Sequence, residues 1–150
     1  MRPRLSRWIA LGMGSGLSSV APGTAGTLWA WALFLIGQRW LPEWALGTIV
    51  VAGFVVGIWA SERTAHDLGE DDHGAIVWDE MIAFWLILLF VPAGFGSQFI
   101  AFLLFRLFDI VKPPPIRYFD RTIKTGFGVM LDDLIAAFYT LLLFAAWQAW

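Results

Sequence analysis

The sequence predicts an all-α integral membrane helical bundle with a re-entrant or bent helical hairpin at about residues 81–110. Hydrophobic residues make up 59% of the 150-residue chain, charged residues only 15%, and the mean hydropathy is +0.69. Soluble domains carry about a quarter charged residues, and so few charges would leave apolar patches in water. Several long stretches carry no charge at all, and the longest is interrupted by a proline and glycines. We therefore expect one membrane domain spanning residues 1–150.

The first apolar segments are predicted from the spacing of the charged residues. Trp44–Ser61 and Leu134–Trp150 hold no charged residue, and both reach the roughly 17-residue lower limit for a membrane-spanning helix. Leu28–Gln38 forms the core of another apolar helix, flanked by Gly26 and Arg39. The pattern thus predicts at least three helices besides the hairpin.

The hairpin is predicted within Met81–Phe105, the longest charge-free stretch. A proline and two glycines at 92–96 interrupt it, and such residues break a helix and favour a turn. We expect two half-length helices, Met81–Val91 and Gln98–Ile110, with the open backbone of the bend buried against other helices. The alternative is one tilted helix that crosses the membrane once.

The fold-back determines which charges share a membrane face. With a hairpin, the charged blocks Glu62–Glu80 and Arg106–Asp133 lie on one face, whereas a single crossing would separate them. Of the basic residues, only Arg39 would then lie on the other face. The basic residues of the shared face are Arg2, Arg4, Arg7, Arg63, Arg106, Lys112, Arg117, Arg121 and Lys124. The positive-inside rule predicts that this face of the multi-pass protein is cytoplasmic.

Composition also excludes several classes of function. The net charge is −2, so we expect no nucleic-acid partner, and no obligate protein partner is evident. The chain has no cysteine, which excludes disulfides, thiolate metal sites and a cysteine nucleophile. Three N-terminal arginines precede an apolar run, but that run is rich in glycine and serine and lacks a clear cleavage site. We expect the N-terminus to be retained.

Five carboxylates at the edges of apolar segments are the candidate catalytic and metal-binding residues. They are Asp79, Glu80, Asp109, Asp132 and Asp133. Carboxylates near hydrocarbon need a partner, and Mg²⁺ takes oxygen ligands that it often shares with a phosphate. For Asp79 and Asp132, which precede predicted helices, helix capping is an alternative explanation. Asp109 lies near a helix C-terminus, where a carboxylate opposes the dipole and capping explains nothing.

A second set of residues is predicted to bind the substrate. Lys112 and Arg117 flank three prolines that stiffen the chain after the hairpin, and both side chains suit phosphate oxygens. Ser15 and Thr24 belong to a glycine-rich segment whose N–H groups could hold a phosphate, although an ordinary turn explains it equally well. His73 could act as an acid or base near neutral pH, or be structural.

Four blocks of this sequence resemble the phosphatidylglycerophosphatase A family. They are Gly14–Ser18 with Ala21–Gly26, then His73–Glu80, Phe105–Asp120 and Gly126–Asp133. The blocks extend over nearly the whole chain in the family's order. The resemblance implies an all-helical inner-membrane enzyme that uses Mg²⁺ to convert phosphatidylglycerophosphate to phosphatidylglycerol and phosphate.

The resulting hypothesis places one or two Mg²⁺ ions on the five carboxylates, with Lys112 and Arg117 orienting the phosphate. Whether water or a carboxylate attacks phosphorus stays open. One alternative is a lipid phosphotransferase, although its usual aspartate-rich signature is missing from the sequence. The other alternative is a non-enzymatic membrane protein that binds cations or assists assembly.

Overall fold

The computed structural model describes residues 22–68, 77–91, 94–111, 118 and 126–148, and within these ranges all regular secondary structure is helical. The five helices are α1 (Pro22–Gly37), α2 (Glu43–Leu68), α3 (Trp78–Phe90), α4 (Phe95–Val111) and α5 (Gly126–Gln148). The all-α prediction is confirmed for these residues. Ser15, His73, Lys112 and Arg117 lie outside them.

Helices α3 and α4 form the predicted hairpin, but the prediction that its bend is buried against other helices is wrong, because residues 94–96 are exposed. Residue Val91 is extended after α3, and Gly94 adopts a φ of 141° immediately before α4. The two helices then run antiparallel, so that Arg106, near the end of α4, lies 3.4 Å from Glu80, at the start of α3. The alternative of a single tilted helix is therefore wrong. With 13 residues, α3 is about 20 Å long, which is shorter than a bilayer core of about 30 Å.

Helix α5 begins eight residues before the predicted segment. The expected start was Leu134, but the helix starts at Gly126, so Asp132 and Asp133 lie inside its second turn. Asp132 therefore does not precede a helix, and the capping explanation is wrong for it. At α3 the N-cap residue is Val77, which makes no side-chain capping bond, and Asp79 lies in the first turn. Asp79 is therefore not the N-cap residue, although its charge still favours the helix dipole.

Aromatic side chains fill the core between the hairpin and its neighbours. Phe84 of α3 and Phe105 of α4 are fully buried, with ring centroids 6.1 Å apart. Trp31 of α1 stacks on Phe102 of α4 at 6.1 Å, and its indole N–H donates a buried 2.8 Å hydrogen bond to the Gln98 side chain. These contacts fix α1 to α4 and hold the hairpin in the bundle.

Small residues let α2 approach α3 and α5 closely. A Cβ atom on Gly57 would lie 2.7 Å from both Met130 of α5 and Trp78 of α3. The indole of Trp78 donates a 2.9 Å hydrogen bond to the carbonyl of Gly53. Glycines at helix contacts are typical of membrane helix packing, where backbones approach directly. The start of α3 and the C-terminal half of α2 are thereby joined at one end of the bundle.

Two of the described helices are long and apolar enough to cross a membrane. The qualifying windows are Glu43–Ala60 in α2 and Met130–Trp147 in α5, and by themselves two such helices are weak evidence. Most of each window is not buried inside the bundle. Large apolar side chains are accordingly exposed along both helices, among them Val51, Val55 and Phe138. Membrane association is consistent with this exterior.

Candidate active site

Three carboxylates from two helices converge at the end of the bundle where α3 and α5 begin. Asp79 and Glu80 lie in the first turn of α3, and Asp133 lies in the second turn of α5. One carboxylate oxygen from each residue lies within 4.8 Å of the others. We call this group the carboxylate trio. Helix packing thus joins residues more than fifty positions apart in the sequence.

A fourth carboxylate and a guanidinium complete the cluster from α4. Arg106 lies 3.4 Å from Glu80 and donates a hydrogen bond to Asp109, three residues further along the same helix. The side chains of Arg106, Glu80 and Asp109 are each only 11–13% exposed. Among the described residues, four carboxylates thus lie in a cluster with one guanidinium, which contacts two of them.

Carboxylate oxygens of the trio that are buried without a hydrogen-bond partner indicate a candidate cation site. Asp133 is only 2% exposed. Buried oxygen Oδ2 of Asp133 and buried oxygen Oε2 of Glu80 have no hydrogen-bond partner within the described residues. Leaving a buried polar atom unpaired costs about 1–3 kcal/mol, and more where the group is charged. A hard cation at this position would use oxygens of the type that these residues offer.

The pKa of Glu80 also supports a cation-binding role for the carboxylate trio. Glu80 lies in the first turn of α3, outside the two helices long enough to span a membrane. Burial first, and then the nearby carboxylates of Asp79 and Asp109, raise the pKa of Glu80 well above its ordinary value, while Arg106 opposes them. A divalent cation would reverse this effect, because it stabilises the ionised carboxylates. The donor set fits Mg²⁺.

The other predicted site residues occupy different positions. Asp132 is buried, at 6% exposure, but lies outside the trio. Thr24 lies in the first turn of α1 and is half-buried. Two residues further, Gly26 packs against Val77, the residue before α3, so Thr24 is at the carboxylate end of the bundle. Predictions for Ser15, His73, Lys112 and Arg117 concern residues that the structure does not describe.

Arg106 is the site residue that the sequence did not single out. It was predicted only as one of the basic residues on the shared face, with no role at the carboxylates. The available signal was its three-residue spacing from Asp109, which places both side chains on one face of α4. Its contact with Glu80 depends on how α4 packs against α3, and local spacing does not predict that packing.

Comparison with known proteins identifies relatives along the whole described chain. Residues 8–148 match the family model for phosphatidylglycerophosphatase A. Phosphatidylglycerophosphatase A of Escherichia coli strain K12 is 42% identical over 130 residues, covering 85% of this chain and 74% of the relative. The Haemophilus influenzae protein of the same name is 42% identical over 144 residues, covering 95% and 88%.

A third relative carries a different name. This protein, from Bacteroides thetaiotaomicron, is provisionally named a phosphatidylinositol-3-phosphatase. It is 40% identical over 144 residues, which cover 91% of this chain and 89% of the relative. No solved structure matches the chain significantly.

Proposed function

The chain belongs to the phosphatidylglycerophosphatase A family, and we propose that it hydrolyses phosphatidylglycerophosphate to phosphatidylglycerol and phosphate with the help of Mg²⁺. It is a phosphatase, as its close relatives are. The observation that carries the metal proposal is the carboxylate trio, in which ligand oxygens of two buried carboxylates and one partly buried carboxylate, from two helices, lie within 4.8 Å of one another. Burying such a group without a cation is costly, whereas oxygen ligands of this kind suit Mg²⁺.

Asp79, Glu80 and Asp133 are the proposed metal ligands. Asp109 and Asp132, predicted as further ligands from the sequence, stay predictions, and a second ion would need them. When bound, the ion would offset negative charge on the phosphate and lower the pKa of an attacking water. Arg106 supports this arrangement from α4, because its contacts with Glu80 and Asp109 restrict where both carboxylates point.

Substrate binding is assigned to residues around the trio. Lys112 and Arg117 are proposed to hold the phosphate oxygens, with Ser15 and Thr24 contributing from the glycine-rich segment. Hydrolysis forms a bond between phosphorus and the water oxygen and breaks the bond to the glycerol oxygen, which takes up a proton. His73 is proposed to take part in proton transfer, since imidazole titrates near neutral pH. Only the headgroup then needs to reach the carboxylates, because the acyl chains can remain at the hydrophobic depth of the membrane.

The proposed location is a bacterial inner membrane, with several helices crossing it and the trio at the cytoplasmic face. Support comes from the two long apolar helices and from their exposed apolar side chains. Among the described cationic side chains, Arg106 lies at the carboxylate end and Arg39 follows α1 at the opposite end. The remaining basic residues are predicted from the sequence to share the face of the carboxylates, and the positive-inside rule favours a cytoplasmic location for such a face.

The test is phosphate release by the purified full-length protein in phospholipid vesicles. We expect Mg²⁺-dependent turnover of phosphatidylglycerophosphate that a chelator abolishes. Asp133→Asn should lower the rate by about a hundredfold or more, because losing a metal ligand removes several kcal/mol of transition-state stabilisation. Glu43→Gln removes an exposed carboxylate from the start of α2, at the other end of the bundle, and should retain the rate.

Each alternative predicts a different outcome. Mg²⁺ binding without phosphate release would indicate the non-enzymatic cation-binding protein, and transfer of phosphate to another lipid would indicate the phosphotransferase. Faster turnover of phosphatidylinositol 3-phosphate in parallel vesicles would assign the headgroup suggested by the third relative's name. Wild-type turnover by Asp133→Asn would remove Asp133 from the ligands.

A further inference from the structure

A half-open apolar groove begins at the carboxylate trio. Its volume is about 230 Å³, and among the residues that the structure describes Asp79 is the only charged one that lines it. The apolar walls come from α2, α3 and α5: Val50, Val51, Phe54 and Val55, then Ile82, Ala83 and Leu86, and finally Met130 and Leu134. One residue, Asp79, thus belongs both to the groove and to the trio.

The groove follows the direction of α3 away from the trio. Its lining residues on α3 are Asp79, Ile82, Ala83 and Leu86, a spacing that places them on one face of the helix. From Asp79 to Leu86 the helix rises by about 10 Å. The end of the groove beside Asp79 therefore lies at the carboxylate end of the bundle, and the rest extends toward the other end.

One side of the groove faces the exterior of the bundle. Val51 and Val55, one helical turn apart on α2, line it and are 67% and 63% exposed. They lie in a helix window that is long and apolar enough to cross a membrane. In a bilayer this opening would face lipid, so an acyl chain could enter sideways without crossing water.

We propose that this groove binds one acyl chain of the phospholipid substrate and thereby positions the headgroup phosphate at the carboxylate trio. The proposal rests on the phosphatase function proposed above. Hydrocarbon already surrounds the chain in the bilayer, so the groove gains little from transferring apolar surface. Its effect is positional, because an anchored chain restricts the depth and orientation of the phosphate relative to the trio. The continuity between groove and trio through Asp79 assigns the substrate's chain, rather than a bulk lipid, as the occupant.

The experiment compares two substitutions on α2. Val55→Trp places a large side chain at the open edge of the groove, whereas Val56→Trp changes the neighbouring exposed valine, which does not line it. Both purified proteins are assayed in vesicles with long-chain phosphatidylglycerophosphate, and in solution with the deacylated headgroup, glycerophosphoglycerophosphate. Thermal unfolding in the same detergent checks that both variants fold.

We expect Val55→Trp to lower kcat/KM for the long-chain lipid by about tenfold or more, because the phosphate is no longer held in place. Its rate on the deacylated headgroup should equal that of the wild type, and Val56→Trp should match the wild type on both substrates. An unchanged rate of Val55→Trp on the long-chain lipid would overturn the proposal and leave the groove to bulk lipid. Equal losses in both variants would overturn it as well, because Val56 does not line the groove and the loss would then be a general effect of tryptophan on α2. Failure of the proposed function is a separate result, since the wild type itself would then release no phosphate.

Discussion

At the scale of single residues, Arg106 places a positive charge among four carboxylates. Its guanidinium contacts Glu80 of α3 and Asp109 of its own helix, and all three side chains are at most 13% exposed. Its buried Nε atom has no hydrogen-bond partner within the described residues. Arg106 therefore offsets part of the negative charge, while the carboxylate trio still has unsatisfied oxygens. The divalent cation proposed above would stabilise the same cluster in a different way, by binding the oxygens that Arg106 leaves unsatisfied.

Because Arg106 and the proposed Mg²⁺ would stabilise the same carboxylates, the effect of an Arg106 substitution on stability should depend on Mg²⁺. Arg106→Gln should lower the free energy of unfolding by up to about 3 kcal/mol without Mg²⁺, because two buried carboxylates lose their partner. Saturating Mg²⁺ should narrow the difference from the wild type, since the ion binds only the folded cluster. The measurement is Tm in detergent with Mg²⁺ or with chelator. Arg39→Gln, which changes an exposed arginine after α1, is the control and should leave Tm unchanged. A Tm difference that Mg²⁺ does not alter would contradict the shared role.

At the scale of elements, the site depends on the hairpin between α3 and α4. The turn requires Gly94, whose φ of 141° is a conformation that side chains rarely adopt. Gly96, in the first turn of α4, has ordinary helical geometry. A Cβ atom on either glycine would meet nothing within 4 Å. The two positions therefore differ in backbone conformation and not in available space.

That difference gives a matched pair of substitutions. Gly94→Ala should destabilise the protein by about 1–3 kcal/mol, because alanine is strained at this φ. Gly96→Ala should be neutral, or stabilising by up to about 1 kcal/mol, because alanine favours the helix. Thermal unfolding of both variants in detergent measures the difference. If Gly94→Ala were as stable as Gly96→Ala, the turn would not depend on the positive φ.

Local signals explain which elements could be predicted from the sequence. The hairpin was predictable because a proline and glycines interrupt an apolar stretch, and these residues act on the backbone directly. The start of α5 was not, because Asp132 and Asp133 resemble residues that precede a helix. In the structure they lie inside it, where Asp133 is buried beside Asp79 and Glu80 of α3. The position of Asp133 inside α5 depends on its packing against α3, and the local sequence does not encode that packing.

For the whole molecule, the arrangement of charge predicted the site better than any single motif. Folding back at residues 91–94 brings Glu80 next to Arg106 and Asp109, and α5 adds Asp133. The order of charged and apolar blocks was enough to predict that these groups share one end of the bundle. Which carboxylates touch depends on the rotation of each helix about its axis. For that reason the trio includes Asp133 but not its neighbour Asp132.

The same arrangement predicts the orientation of the bundle in the membrane. The chain has no cysteine, so a single introduced cysteine reports its own location. Trp40 follows α1 at the end opposite the trio and is 82% exposed, and Val111 ends α4 at the trio's end and is 50% exposed. By the positive-inside rule, the carboxylate end is predicted to face the cytoplasm. A membrane-impermeant maleimide added to intact bacterial spheroplasts should therefore label Trp40→Cys, and label Val111→Cys only after lysis. Labelling of Val111→Cys alone before lysis would reverse the orientation, and labelling of neither would place both ends on one side.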